Sequence, residues 1–296
     1  MKHAWLALML TLNPLTSALA DTVVYDAADG KVINAKLSIG GTAYSVDWYL
    51  PSSTPTALMT YQHGFSRGCG NHRNTSLNIM RKNVMVLCVN ASMSGGNPAL
   101  AKSFAQLLAS RNVLAPGNIP LPAPIIVGGH SAGGHFATEL GKQLVAYGYP
   151  YLKGAVLFDP VAQSGFTDNL MAISMNGSRP VLAVTANSNI CNMYNNAYGA
   201  LRQIQQFAAS AGKSSFTGVQ LTSSSTHVDS EGDNTDFLGY SACLSLAPKA
   251  ANTGYLRTLS AAWVADIANG THDDAYYPGG YYLSNLIGNS KAKLIQ

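Results

Sequence analysis

Short apolar runs alternate with longer stretches of helical length along most of the chain. The runs have the length of a strand, are rich in Val, Ile and Leu, and lie at residues 57–61, 84–89, 125–128, 155–158 and 181–185. Continuous apolar runs are typical of strands buried on both faces of a parallel sheet. Helix-like stretches follow them at residues 99–110, 134–147, 195–211 and 255–268. This alternation predicts an α/β fold with a doubly wound, mostly parallel central sheet flanked by helices.

Residues 22–50 differ from this pattern and indicate extended chain. Polar and apolar side chains alternate there, for example at residues 44–50, and Pro51 ends the run. Alternation of this kind is typical of strands. No internal repeat and no linker long enough to separate two domains interrupts the chain. We therefore expect a single domain over residues 21–296.

The first twenty residues have the pattern of a secretory signal. Lys2 and His3 precede an apolar stretch at residues 4–12, and small residues lie at positions 16–20 just before Asp21. The apolar stretch is too short to span a bilayer as a stable helix. We expect cleavage after Ala20 and export to the periplasm or the medium, and we expect no later membrane segment.

Composition excludes two broad classes of protein. The chain is 47% hydrophobic and 11% charged, the reverse of the balance in disordered proteins. Its net charge of +4 is mild, and no run of Lys and Arg occurs, so a nucleic-acid partner is not expected. We expect a monomer.

One loop carries the strongest chemical motif. A strand at residues 124–128 runs into Gly-His-Ser-Ala-Gly-Gly at residues 129–134, and a helix-forming stretch follows at once. Gly-x-Ser-x-Gly between a strand and a helix is the nucleophile elbow, in which a strained turn exposes the serine at a helix N-terminus. Ser131 is therefore the candidate nucleophile.

A nucleophilic serine needs a base and an acid that orients it, in the chain order serine, acid, histidine. Only Glu139, Asp159 and Asp168 lie between Ser131 and the candidate histidine. Asp159 directly ends the strand at 155–158 and precedes Pro160, which forces a turn. Glu139 lies within a helix and Asp168 in an irregular stretch, so Asp159 is favoured.

His227 is the favoured base. It follows a plausible last strand at residues 216–221 and lies in the polar segment 223–229, which we interpret as a mobile loop that can approach the serine. His272 comes after the last helix and is interpreted as a surface residue. His130 adjoins the serine, and His63 is expected to brace its loop.

An oxyanion hole requires backbone N–H groups near the nucleophile. Ala132 follows the serine directly and supplies one. The strand at 57–61 runs into Gln-His-Gly-Phe at residues 62–65, where the glycine lets the backbone turn inward. The Phe65 N–H is therefore the second candidate donor.

The four cysteines, Cys69, Cys88, Cys191 and Cys243, allow three pairings, and none has the close spacing of a zinc knuckle. Disulfides are expected in an exported protein. We favour Cys191–Cys243, which would pin the histidine loop near the site, and Cys69–Cys88, which would clip the oxyanion-side helix to its strand.

These motifs together resemble the α/β-hydrolase superfamily in its serine esterase and lipase branch. Gly-His-Ser-x-Gly-Gly, Phe-Asp-Pro-Val at 158–161 and Thr-His-Val-Asp at 226–229 are similar to the chlorophyllase-like group. Secreted polyester hydrolases share the layout but usually carry their acid after the next strand, where this chain has Asn187. The resemblance implies a Ser131–His227–Asp159 triad, an acyl-enzyme and hydrolysis of carboxylic esters without cofactor or metal. Polyester or lipid substrates, peptidase or acyltransferase activity and a non-catalytic binding role remain alternatives.

Substrate contacts are harder to predict. Only about twenty residues separate Pro160 from Pro180, so no large cap domain is expected. Phe65, His130 and Phe166 are the candidate substrate-binding residues, although the apolar patch around Phe166 has an equal claim to be core. The Tyr-rich stretch at 275–282 is better interpreted as self-packed than as a substrate platform. The acidic run at 229–236 is interpreted as a solvated loop rather than a calcium site.

Overall fold

A computed structural model describes residues 21–296, and the expected signal segment at residues 1–20 lies outside the described residues. The strands are β1 (Thr22–Ala27), β2 (Gly30–Ile39), β3 (Thr42–Pro51), β4 (Ala57–Gln62), β5 (Val84–Asn90), β6 (Leu114–Ala115), β7 (Ile119–Pro120), β8 (Ile125–His130), β9 (Leu152–Phe158), β10 (Val181–Thr185), β11 (Gly218–Leu221) and β12 (Ala292–Leu294). The helices are α1 (Arg73–Met80), α2 (Pro98–Ser110), α3 (Ala132–Ala146), α4 (Phe166–Ser174), α5 (Tyr198–Ser210), α6 (Phe237–Ser241), α7 (Ala250–Asn269) and α8 (Tyr281–Gly288). The predicted strands and helices are all present, with bounds shifted by a few residues.

Within the described residues, ten strands form one mixed sheet in the order β1-β2-β3-β5-β4-β8-β9-β10-β11-β12. The six strands from β5 to β11 in that order are parallel to one another, while β1 to β3 and β12 pair antiparallel at the two edges. All residues of β4, β8 and β10 are buried. The predicted doubly wound, mostly parallel α/β sheet is therefore confirmed.

The alternation of side chains along the central strands divides the core into two layers. In β8, Ile125 and Val127 pack on the face covered by α2 to α5, whereas Ile126 packs on the face covered by α1, α7 and α8. Successive side chains of a strand point to opposite faces, so a continuous apolar run supplies both layers. No helix within residues 21–296 is long and apolar enough to span a membrane.

The Tyr-rich stretch packs on the protein itself, as the sequence favoured, and forms a 3₁₀ turn (Asp274–Tyr276) and α8. The Tyr277 ring lies edge-on to Phe216, with ring centroids 5.8 Å apart. The Trp263 indole N–H donates to the Tyr276 carbonyl at 3.0 Å. His272 lies at the surface, as expected, with its side chain 58% exposed.

Candidate active site

Ser131 lies at the turn between β8 and α3 in a strained backbone conformation. Its φ of +56° and ψ of −125° are rare for a residue with a side chain. The surrounding backbone holds this conformation, because the Ser131 N–H donates to the Phe158 carbonyl at 3.2 Å and the Ser131 carbonyl accepts from Gly134 and Val161 at 2.9 and 3.1 Å. The hydroxyl is thus presented at the N-terminus of α3, as the elbow motif predicts.

Two glycines of the motif are required by close backbone approach. A Cβ placed on Gly133 would lie 2.2 Å from the His63 carbonyl oxygen, and one on Gly129 would lie 2.3 Å from the Gly133 carbonyl oxygen. No side chain fits at such distances. The end of β4 and the start of α3 can therefore pack together only because both positions lack a side chain.

The structure brings Asp159 and His227 into contact, 68 residues apart in the chain. Asp159 directly follows β9 with a φ of +41°, and its Oδ2 lies 2.6 Å from His227 Nδ1. Both side chains are almost completely buried. A carboxylate only accepts hydrogen bonds, so this contact places the imidazole proton on Nδ1 and leaves Nε2 as the basic nitrogen.

Asn192 is a further partner of Asp159 that the sequence analysis missed. Its amide nitrogen lies 3.2 Å from Asp159 Oδ2, and the Ala186 N–H donates to Asp159 Oδ1 at 3.0 Å. The Asn192 side chain is itself held, since its Oδ1 accepts from the N–H groups of Asn189 and Asn195 at 2.9 and 3.0 Å. The available signal was the density of asparagines after the strand at 181–185, five of them between residues 187 and 196.

The segment that carries His227 is buried, which corrects the expectation of a mobile, solvated loop. Residues 225–232 are all buried, and His227 begins a 3₁₀ turn (His227–Ser230). Asp229 holds the turn, because its carboxylate accepts from the N–H and the hydroxyl of Thr226 at 2.9 and 3.0 Å. The candidate base therefore lies in a buried, hydrogen-bonded turn.

The acidic run after His227 is only partly the solvated loop that the sequence suggested. Glu231 is buried, and its two carboxylate oxygens accept from Arg67 at 2.9 and 2.6 Å. Asp233 and Asp236 are exposed and bind Arg257 and Arg67 at 2.6 and 3.1 Å. The counter-charge for Glu231 comes from 164 residues away, so local charge patterning could not reveal it.

Three histidines lie close to the catalytic candidates without being the base. His63 Nδ1 is 2.9 Å from the Gly64 carbonyl, consistent with its expected bracing role. His130 Nε2 is 2.8 Å from the His227 carbonyl, and the two rings lie 4.5 Å apart. His72, His130 and Glu231 are the one group that could hold a metal within residues 21–296, with donor atoms within 4.8 Å of one another.

A cleft of about 550 Å³ opens over Ser131 and His227. Phe65, Leu238 and the disulfide between Cys191 and Cys243 form part of its wall. The second disulfide joins Cys69 to Cys88, so both pairings are those that the sequence favoured. Within the described chain, the N–H groups of Phe65 and Ala132 have no hydrogen-bond partner and are free to bind an oxyanion.

The expectation that Phe166 lines the substrate cleft needs correction, whereas Phe65 and His130 do line it. Phe166 begins α4, is 2% exposed and stacks on His135 at 5.8 Å between ring centroids. Leu170 and Ile173 of the same helix are fully buried in the core. The apolar face of α4 packs against α3, so this patch stabilises the fold and does not face substrate.

The buried carboxyl group of Asp229 predicts how the free energy of unfolding changes with pH. Burial raises its pKa to about 7, with the nearby Asp159 charge adding to the shift and the Thr226 hydrogen bonds opposing it. Between pH 4 and 7 the folded state therefore holds a proton that the unfolded state has lost, and the free energy of unfolding falls as pH rises, by up to about 1.4 kcal/mol per pH unit. Asp229→Asn should flatten that slope relative to wild type in urea titrations from pH 4 to pH 7. Equal slopes in the two proteins would contradict the prediction.

Solved structures resemble this chain, although no protein-family model and no curated protein sequence matches it. Carboxyl esterase 2 from the mycorrhizal fungus Tuber melanosporum has a TM-score of 0.56 at 15% identity, over 83% of this chain and 89% of its own. The carboxylesterase EstE1, cloned from a metagenomic library, has a TM-score of 0.53 at 15% identity, over 86% and 92% of the two chains. The esterase Est22 has a TM-score of 0.51 at 16% identity, over 82% and 80%. Together with the sheet order and the elbow, these likenesses show that the chain has the α/β-hydrolase fold.

Proposed function

We propose that the chain is a serine hydrolase that cleaves carboxylic esters. The observation that carries the proposal is the 2.6 Å contact between His227 Nδ1 and Asp159 Oδ2, beside a cleft that both His227 and Ser131 line. The three residues follow β8, β9 and β11 at the same edge of the sheet, which supports their assignment as a triad. The esterases of the same fold support this choice of substrate class.

The reaction proceeds through an acyl-enzyme. His227 Nε2 takes the Ser131 hydroxyl proton as Oγ bonds to the ester carbonyl carbon, and Asp159 stabilises the imidazolium that forms. The N–H groups of Ala132 and Phe65 bind the oxyanion of the tetrahedral intermediate, aided by the N-terminus of α3. The intermediate collapses, and His227 returns the proton to the departing alcohol. Water then attacks the acyl-enzyme with His227 as base, which releases the acid and restores Ser131.

The proposal places the enzyme outside the cytoplasm as a domain of residues 21–296. Two disulfides support this, because such bonds persist in oxidising compartments. The signal pattern at residues 1–20 supports it independently. Each step of the proposed reaction uses side chains and main-chain N–H groups of this chain together with water.

A lipid aggregate or a polyester is the second candidate substrate, because large apolar side chains are exposed around the cleft. Phe65 and Leu238 line the cleft and are 63% and 72% exposed. The other members of this apolar rim lie within three residues of a cleft-lining residue in the chain, and they are Met193, Phe237, Leu244 and Leu246, all more than half exposed. Exposed apolar side chains around a catalytic cleft favour contact with a water-insoluble ester.

The first test is hydrolysis of p-nitrophenyl esters from acetate to palmitate by wild type and Ser131→Ala. We expect the variant to lose about a thousandfold or more in kcat/KM, because the nucleophile is gone while the oxyanion hole remains. A fluorophosphonate probe should label wild type at Ser131 and leave the variant unlabelled. Labelling without ester hydrolysis would favour peptidase or acyltransferase activity, and absence of both would favour a binding protein.

Asn192→Ala should lower kcat about tenfold with little change in KM, since one of the hydrogen bonds that orient the Asp159 carboxylate is lost. Steady-state kinetics on a soluble ester measures this. Asn196→Ala is the matched control, because the Asn196 side chain binds the main chain of Ala162 and makes no contact with Asp159. Equal losses in the two variants would assign the effect to the loop as a whole.

The apolar rim predicts a separation between soluble and insoluble substrates. Leu244→Ser with Leu246→Ser removes two of its most exposed side chains, 86% and 78% exposed. We expect activity on p-nitrophenyl acetate to remain and both adsorption to and hydrolysis of an emulsified triglyceride or polyester film to fall several-fold. Tyr281→Ser, which removes an exposed ring from α8, is the control. Unchanged adsorption in the rim variant would remove the support for an insoluble substrate.

A further inference from the structure

Behind the catalytic candidates, a row of buried rings leads from the sheet to the main chain of His227. The Tyr61 hydroxyl lies 3.1 Å from His72 Nδ1, the His72 and His130 rings are 5.0 Å apart, and His130 Nε2 lies 2.8 Å from the His227 carbonyl oxygen. His72 and His130 are almost completely inaccessible to solvent. The ester-cleavage mechanism uses neither ring as a nucleophile, acid or base.

The contact with His227 determines the proton position on His130. A carbonyl oxygen only accepts, so His130 Nε2 carries the hydrogen and donates it. Burial holds the pKa of His130 well below its usual range, with the neighbouring His227 and His72 acting in the same direction. The ring is therefore neutral, and its Nδ1 is a bare acceptor with no partner among the described residues.

The next ring of the row, His72, is neutral as well. Burial likewise holds the pKa of His72 well below its usual range and raises that of Tyr61, so the phenol keeps its proton. When the phenol donates to His72 Nδ1, the hydrogen of His72 resides on Nε2, which also has no partner among residues 21–296. The His130 tautomer therefore rests on its donation to the His227 carbonyl, and the His72 tautomer rests on donation by the Tyr61 phenol.

The surrounding charges argue against a metal ion in this place. Glu231 is the one carboxylate grouped with both rings among the described residues, and Arg67 already binds both of its oxygens. A divalent cation would enter a buried site where the one anion is neutralised by a guanidinium. Two neutral imidazoles without a bound cation therefore fit these surroundings better than a metal centre does.

We propose that His130, through the hydrogen bond from its Nε2 to the His227 carbonyl oxygen, is a positioning residue that holds the main chain of the proposed base. His130 directly precedes Ser131, so one side chain links the strand that carries the nucleophile to the turn that carries the base. Fixing the His227 carbonyl limits how far its imidazole can move from Ser131. The proposal rests on the proposed function for its kinetic consequence and on geometry for the tautomers.

The test compares His130→Leu with His130→Gln, whose amide N–H can replace the Nε2 donor. We expect kcat to fall about tenfold to a hundredfold in His130→Leu, with KM within about twofold of wild type, and to stay within about threefold in His130→Gln. His72→Leu should show a smaller loss in the same direction. His135→Gln is the control, because His135 is also buried with an unpartnered Nδ1 but packs on Phe166, away from His227. It should keep wild-type activity.

Nuclear magnetic resonance supplies a readout that needs no turnover. In ¹⁵N-labelled protein, His130 and His72 should remain neutral and protonated on Nε2 as pH is lowered until the protein unfolds. The low-field proton shared by His227 and Asp159 should broaden in His130→Leu and persist in His130→Gln. These signals test the positioning role even in a protein that hydrolyses no ester, so failure of the proposed function is distinguishable from failure of this inference.

Three results would overturn the inference. They are wild-type kcat in His130→Leu, a His130 ring that is protonated on Nδ1 or carries a positive charge, and one tightly bound zinc per chain in the purified protein. Elemental analysis of the purified protein measures the last of these. If His130→Leu does not fold, His130→Gln becomes the deciding variant. It must then keep both the activity and the low-field proton signal of His227 and Asp159.

Discussion

A buried carboxylate needs hydrogen-bond donors, and the need of Asp159 for them organises the whole site. Asp159 is 3% exposed, and its donors are His227 after β11, the Ala186 N–H after β10 and the Asn192 amide. An isolated buried charge is costly. The Asp159 carboxylate therefore holds together its own segment, the loop after β10 and the turn after β11, and it also orients the proposed base His227. The disulfide from Cys191, the residue before Asn192, extends this assembly to the wall of the cleft.

A second buried carboxylate couples the two sides of the cleft. Glu231 is fully buried and bound by Arg67, which lies two residues after the oxyanion candidate Phe65. The guanidinium therefore ties the loop after β4 to the turn that carries His227. Arg67 also reaches Asp236, the residue whose side chain caps α6 through the Gly239 N–H at 2.8 Å. Bidentate pairing gives this link a defined geometry.

Apart from the two disulfides, sequence reasoning succeeded where the determining contacts are local and missed those that are not. The elbow and the turn at Asp159 could be predicted because each follows its own strand, and parallel strands end at one edge of the sheet. Asn192, the pairing of Arg67 with Glu231 and the row from Tyr61 to His130 join distant segments, and no short-range pattern encodes them. Phe166 was named a candidate substrate-binding residue with an equal claim to be core, because an apolar helix face looks the same whether it meets substrate or another helix.

Helix α6 contributes Leu238 and Gly239 to the wall of the cleft, although it is only five residues long. A helix of five residues is not stable by itself, since so few internal hydrogen bonds cannot offset the cost of nucleation. The flanking groups supply what is missing: Asp236 caps its N-terminus, Arg67 binds that cap, and Cys243 follows its C-terminus in a disulfide that spans 52 residues. Because the same short helix presents Phe237 and Leu238 to solvent, the chain can expose apolar side chains on a rigid support. The cap, the ion pair and the disulfide thus hold these apolar side chains at the rim, so that they do not fold over the cleft.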